Sequence, residues 1–184
     1  MLRTFDFFLS AVGLVLGFPL LLVIFILCIF DTGRPLLRQE RVGRHQRPFV
    51  LIKFRTMKVG TAAVASHLAS VDSITLFGRL LRVSKLDELP QLWNVLWGEM
   101  SLVGPRPCLS TQSELIHERQ ILGVFAVRPG ITGLAQIQKI DMSTPQILAK
   151  TDANMISSLS LKNYLLYILK TVLGNGRGDS IGLR

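Results

Sequence analysis

Two adjacent carboxylates, Asp87 and Glu88, stand in a chain whose formal net charge is +9. They sit inside Ser-Lys-Leu-Asp-Glu-Leu-Pro-Gln-Leu-Trp, just ahead of an apolar run. Neighbouring acids can divide a phosphoryl transfer, one attacking phosphorus while the other holds a divalent cation against the leaving phosphate. Cations to receive a phosphorylated substrate surround them in the sequence. Arg79 and Arg82 are three apart and share a face if helical, and Arg106 is aimed by the rigid Gly104-Pro105-Arg106-Pro107 turn. Lys53 and Arg55 alternate along an extended stretch, and Arg128 stands beside a second Pro-Gly turn. The same acidic pair also suits a plain helix start. Acids there accept from orphan backbone N–H groups and complement the dipole, and Pro90 fits a first turn. Capping and catalysis are compatible, because a helix N-terminus would keep a carboxylate ionised.

The elements that must position these residues follow from the rest of the chain. At 184 residues there is room for one ordinary domain and an appended segment. Hydrophobic residues make up 49% and charged ones only 18%, below the roughly 25% usual for soluble domains. Contact with lipid is the expectation. The basic excess fits a partner carrying phosphates, whether nucleic acid, anionic lipid head groups or a phosphorylated small molecule.

From Phe7 to Phe30 no residue is charged, more than the ~20 residues needed to cross a bilayer core. The run is too long for a signal-peptide core and lacks a small-residue cleavage site. Pro19, beside Gly17, removes an intrahelical bond in its middle. Arg3 flanks one end, and Arg34, Arg38, Arg41 and Arg44 follow the other. Either a spanning helix or a helix–break–helix that enters one leaflet and returns satisfies this pattern.

Beyond Asp31 two extended segments flank a Gly-Arg-His-Gln-Arg-Pro turn. The second places Phe49, Leu51, Lys53, Arg55 and Met57 on one face. Residues 60–76 are small and polar and read as a flexible loop or frayed helix. Leu92, Val95 and Leu96 take helical spacing, with Gly98 as the stop. A helix after Ser143-Thr144-Pro145 is followed by one whose apolar face is Leu161, Leu165, Ile168, Leu169, Val172 and Leu173. That face suits either a core or a membrane surface. Residues 175–184 read as a disordered tail.

Several chemistries are excluded. No Gly-Lys-Ser/Thr phosphate loop or strand–GxGxxG–helix pattern exists. Cys28, Cys108, His45, His67 and His117 have no zinc spacing. The tryptophans and tyrosines lie in apolar helical runs rather than among basic residues, so nucleic acid is not an expected partner.

Three segments carry a resemblance: Lys-Phe-Arg-Thr-Met (53–57), the block from Phe77 to Pro107, and Arg-Pro-Gly-Ile-Thr-Gly-Leu-Ala-Gln (128–136). Together with the proline-broken N-terminal run they resemble the bacterial monotopic phosphoglycosyl transferases, over nearly the whole chain. The resemblance implies an α+β, predominantly helical fold, with a small β-hairpin and amphipathic interfacial helices. It implies a re-entrant membrane helix at 1–31, broken at Pro19, and a cytoplasmic catalytic domain at 32–174, at the bacterial inner membrane. The implied reaction moves sugar-1-phosphate from a UDP-sugar to undecaprenyl phosphate and releases UMP, with downstream glycosyltransferases as partners in glycan assembly. Asp87 would be the nucleophile and Glu88, with Asp87, the Mg²⁺ site; Lys53, Arg55, Arg82 and Arg106 would bind anions.

The chain departs from the family pattern in three places. Phe18 rather than serine precedes Pro19. After Gln136 come Ile137, Gln138, Lys139, Ile140 and Asp141, without the expected arginine, so that Lys139 is the candidate substitute. The late Asp–Tyr element appears as Asp152 with Met155 nearby. The reading from another class is a non-catalytic, basic, membrane-bound adaptor for anionic lipid.

Overall fold

The computed structural model describes residues 2–61 and 71–174. It is predominantly helical with two small sheets, an α+β build as expected. The chain begins with α1 (Leu2–Thr32), the one helix among the described residues long and apolar enough to cross a membrane. Its hydrogen-bonded helix runs through Pro19. The expected break is thus not an interruption of the helix, since proline deletes one bond and leaves the turns on either side helical.

One stripe of α1 is buried: Asp6, Ser10, Leu14, Ile24 and Cys28. These positions recur at helical spacing, so they form a single seam along the body. Most other side chains are exposed and apolar, Phe8, Val15, Leu16, Phe18 and Phe30 among them. Both ends of α1 are tied to the same body. Arg3 donates through Nη1 to the Val95 carbonyl (2.5 Å) and through Nη2 to that of Leu96 (2.9 Å). The Asp6 carboxylate accepts from Ser101 Oγ (2.9 Å), the Leu102 amide (2.8 Å) and the Tyr164 hydroxyl (2.8 Å). At the far end Ile24 and Cys28 pack with Phe54 and Leu81, and Thr75 donates to Asp31 at 2.6 Å.

β1 (Leu36–Val42) and β2 (Pro48–Phe54) pair antiparallel, Leu36 opposite Phe54 and Val42 opposite Pro48. The Gly43–Arg47 turn closes them, with His45 and Gln46 at positive φ. α2 (Leu76–Ser84) is capped by Thr75, whose hydroxyl accepts from the Gly78 amide. A left-handed Lys85 (φ 58°) and a 3₁₀ turn, Leu86–Glu88, lead to α3 (Gln91–Trp97). Gly98, at φ 86°, stops α3 as its position in the sequence predicts.

β3 (Ser101–Val103) lies parallel to β4 (Gly130–Thr132), in a second sheet. The two glycine-proline segments legible in the sequence thereby meet. α4 (Ser113–Ile121), the short α5 (Leu134–Ile137), α6 (Pro145–Ser157) and α7 (Leu161–Val172) complete the body. On α7 the buried residues are Tyr164 and Tyr167, while Leu161, Leu165, Leu169 and Val172 are exposed. Of the face read from the sequence, Ile168 packs against the core, while the leucines and Val172 are outward. Residues 62–70 of the expected loop, and all of the expected tail, lie outside the described residues; 71–73 form a 3₁₀ turn.

Candidate active site

Asp87 is placed by a sharp reversal of the chain. Lys85 adopts the left-handed conformation that side chains other than glycine rarely take. The 3₁₀ turn then closes with the Glu88 amide donating to the Lys85 carbonyl (3.2 Å). The acidic pair therefore precedes α3 by several residues, and the N-cap position of that helix is Pro90, with no side-chain cap. The capping reading of Asp87 and Glu88 is corrected. The acids belong to the preceding 3₁₀ turn, make no side-chain cap on α3, and face a cavity.

That cavity, of about 470 Å³, is lined by Asp87, Glu88, Lys53, Arg82 and Arg106. The turn after β2 sets Lys53 and Arg82 against each other. Gly78 packs so closely on the Thr56 carbonyl that any Cβ there would overlap it. Arg82 Nε donates to Thr56 Oγ1 at 2.8 Å. Asn94, fully buried on α3, imitates a third strand, accepting from the Ile52 amide (3.1 Å) and donating to the Val50 carbonyl (2.8 Å). This anchors the α3 side of the cavity to the strand that carries Lys53.

The charges are strongly coupled. Burial pushes the Asp87 carboxyl up to about 6, and Glu88 adds to the rise; Lys53, Arg82 and Arg106 pull the other way. A carboxylate kept ionised by a helix end is therefore not what the structure holds. Lys53 is pushed down, chiefly by burial, while Asp87 opposes the shift. Arg106 Nη2 donates to Glu88 Oε1 at 2.8 Å, a charge-assisted bond that orients the glutamate beside Asp87.

Arg106 is itself held from behind. Arg119, only 1% exposed, donates from Nη1 to the Arg106 carbonyl at 2.8 Å. Its Nε and Nη2 grip Asp152 Oδ2 at 3.0 and 2.7 Å. α4 and α6 thus fix the Pro-Arg-Pro turn through one guanidinium. Replacing Arg119 by Ala leaves the Asp152 charge buried without compensation, which costs about 3–5 kcal/mol. Thermal unfolding in detergent would register that loss. Met155 has its own task, its sulfur accepting from the Leu134 amide at 3.1 Å.

The remaining expected site residues lie elsewhere. β2 ends at Phe54, so the alternation that would align Arg55 with Lys53 stops one residue short. Arg55 instead donates to the carbonyls of Arg34 (3.0 Å) and Leu36 (3.4 Å). Arg79 is exposed and outside the cavity lining. Arg128 donates to the Gly98 carbonyl at 2.7 Å, also outside it. Lys139 is exposed at φ 60°, and its neighbours Gln136, Ile140 and Asp141 face the cavity instead. Sequence reading missed Thr132 and Gln136 as cavity residues, and Arg119 and Asp6 as the groups that hold the frame. A lone arginine in α4 and one acid before an apolar run carry no local pattern that would reveal them.

A family model described as bacterial sugar transferase matches residues 1–176. The chain belongs to that family. Among curated relatives of this sugar transferase, a UDP-galactose-lipid carrier transferase of Erwinia amylovora is 33% identical over 92% of the chain. An undecaprenyl-phosphate galactose phosphotransferase of Salmonella typhimurium is also 33% identical over 92%. The chain spans only 39% of the length of each of these two. A UDP-glucose:undecaprenyl-phosphate glucose-1-phosphate transferase of Caulobacter vibrioides is 36% identical, covering 92% of this chain and 67% of its own.

The cavity residues fit the divalent cation that the family resemblance implies. Asp87 and Glu88 offer hard oxygen donors side by side, and Mg²⁺ is ordinarily held by one or two carboxylates with substrate phosphates and water. Glu88 has one oxygen committed to Arg106, and among the described residues the buried Asp87 carboxylate accepts no hydrogen bond.

Proposed function

We propose that this protein transfers sugar-1-phosphate from a UDP-sugar to undecaprenyl phosphate and releases UMP, as an early membrane step of glycan assembly. The observation that carries the reading is the buried Asp87, facing a cavity that Lys53, Arg82 and Arg106 also line. The relatives' names supply the substrate classes.

Asp87 supplies the nucleophile. A carboxylate oxygen attacks the phosphorus that bears the sugar, a new P–O bond forms, and the bond to UMP breaks with its electron pair leaving on UMP. An oxygen of undecaprenyl phosphate then attacks the same phosphorus. The aspartyl–phosphorus bond breaks, the carboxylate is regenerated, and a sugar diphosphate lipid departs. Lys53, Arg82 and Arg106 offset phosphate charge at the cavity floor, and Glu88, held by Arg106, stands beside the attacking acid. Mg²⁺, held by Glu88 and Asp87, would supply electrostatic relief for the diphosphate.

The anchoring of α1 at both ends to one body supports keeping Arg3 and Asp31 on the same side of the membrane, a re-entrant course that requires the continuous helix to bend at Pro19. The cytoplasmic face is the side where a soluble nucleotide sugar is available. The outward apolar faces of α1 and α7 would then meet lipid, bringing the acceptor to the apolar rim of the cavity formed by Leu89, Leu92, Ile168 and Val172.

The test is purified protein with Mg²⁺, undecaprenyl phosphate and a broad panel of UDP-sugars. At least one donor should yield UMP together with a lipid-linked sugar diphosphate. UMP release from none of them would overturn the reading in favour of a non-catalytic lipid-binding adaptor.

A further inference from the structure

Three arginines outside the catalytic cavity lie within range of one another's charge, two of them at Gly98. Arg3 occupies the Val95 and Leu96 carbonyls at the C-terminal end of α3, and a Cβ built on Gly98 would stand 3.3 Å from its Nη2. Arg128 reaches the carbonyl of the same Gly98 through Nε. Arg44, on the hairpin turn, donates its Nε to the Ala126 carbonyl at 2.8 Å, two residues before Arg128. Among the described residues none of the three forms an ion pair. The two acids of this region are otherwise engaged. Asp6 is buried under three hydrogen bonds, and Glu99 accepts from Asn94 at 2.7 Å.

Helix capping accounts for Arg3, whose charge complements the end of α3. It does not account for drawing Arg44 and Arg128 to the same place, where each cation raises the cost of the others. Partial burial, and after it the charges of Arg3 and Arg44, hold the Arg128 guanidinium below its usual range, against the pull of Asp6. An anion at this point would relieve all three. The apolar surroundings indicate which kind: Trp97, next to Gly98, is exposed, as are Phe7 and Phe8, four and five residues along α1 from Arg3. An exposed tryptophan beside arginines marks the level of lipid head groups in a membrane interface, and exposed phenylalanines next to it suit the apolar side of that level.

We propose that Arg3, Arg44 and Arg128 form a binding site for the phosphodiester of an anionic membrane phospholipid. The site rests on the membrane reading given above and is separate from the acceptor cavity. It would fix the N-terminal end of α1 at the depth of the head groups, so that the charged latch of Arg3 and Asp6 stays out of the hydrocarbon.

The test reads lipid binding and not sugar transfer, so failure of either proposal is seen separately. The full chain in neutral detergent micelles is titrated with phosphatidylglycerol or phosphatidylcholine, and retained lipid is counted by native mass spectrometry. Wild type should prefer phosphatidylglycerol by at least about tenfold. Each cation removed should weaken that lipid about fivefold, so Arg44→Gln with Arg128→Gln should lose about 25-fold. A control with Arg34→Gln and Arg38→Gln, exposed near the other end of α1, should keep the wild-type preference. Equal losses in the control would replace the site by diffuse surface charge. Equal retention of the two lipids by wild type, or full displacement of phosphatidylglycerol by excess inorganic phosphate, would overturn the proposal.

Discussion

Asp87→Asn is expected to reduce sugar-phosphate transfer by about 10⁴-fold or more, because an amide oxygen cannot replace the nucleophile that splits the reaction into two steps. The same substitution should stabilise the fold. The carboxyl is pushed from 3.8 to about 6 in the folded protein, so ionising it there costs more than in the unfolded chain. The folded state holds the extra proton between about pH 4 and 6, and stability falls as pH rises through that window. At 1.36 kcal/mol per pK unit the loss amounts to about 3 kcal/mol, an upper figure because Lys53 relaxes with its partner. Thermal unfolding of wild type without Mg²⁺ should therefore show a decline in melting temperature from pH 4 to pH 7. Asp87→Asn should lack that decline and melt higher at pH 7. A variant that is both inactive and less stable would show that Asp87 is a structural ion-pair partner and not a strained reactive group.

Gly130→Ala should abolish folding. Gly130 lies opposite Ser101 in the parallel β3–β4 pair, and a methyl group there would overlap the Gly104 nitrogen and stand 2.5 Å from its Cα. The obstacle is backbone on a strand pair, which cannot rotate away as a side chain can. The Gly130 amide also donates to the Pro105 carbonyl at 2.9 Å, one residue before Arg106. Separating the strands therefore displaces Arg106 from Glu88 and Thr132 from the cavity wall. The cost should exceed about 4 kcal/mol, a large share of the 5–15 kcal/mol that ordinarily holds a domain together. Gly17→Ala is the matched control, since a Cβ at Gly17 meets nothing within 4 Å. Size-exclusion profiles in detergent should show a folded peak for the control and aggregate for Gly130→Ala.

Local features of this fold were legible in the sequence, and features made by distant contacts were not. The hairpin turn, the Gly98 stop and the acidic pair among cations are short-range patterns, and each is present. The cap reading failed because Asp87 is held by a left-handed Lys85 and a 3₁₀ turn, a local geometry that no capping pattern announces. Arg55 was misplaced by a single residue of strand length. The leucine face of α7 was visible, but whether it meets core or lipid depends on Tyr164 finding Asp6, which is 158 residues away. Arg119 and Thr132 have the same character. Their roles arise where α4 meets α6 and where β3 meets β4, contacts that exist only after the chain has folded.

The family resemblance offers an expectation that spacing could not, that Asp87 is the attacking acid of the pair. The structure adds a physical distinction between them. Glu88 is engaged by Arg106, whereas Asp87 is more buried and, among the described residues, accepts no hydrogen bond. That bond orients Glu88, and Asp87 is the acid proposed to form the new bond to phosphorus.

The most direct measurement is the intact mass of the protein after incubation with Mg²⁺ and an active UDP-sugar in the absence of undecaprenyl phosphate. A covalent step on Asp87 predicts a mass increase equal to one sugar phosphate, matched by one UMP per protein, and neither in Asp87→Asn. An unchanged mass, with UMP released only once the lipid acceptor is added, would contradict it and point to direct transfer between donor and acceptor.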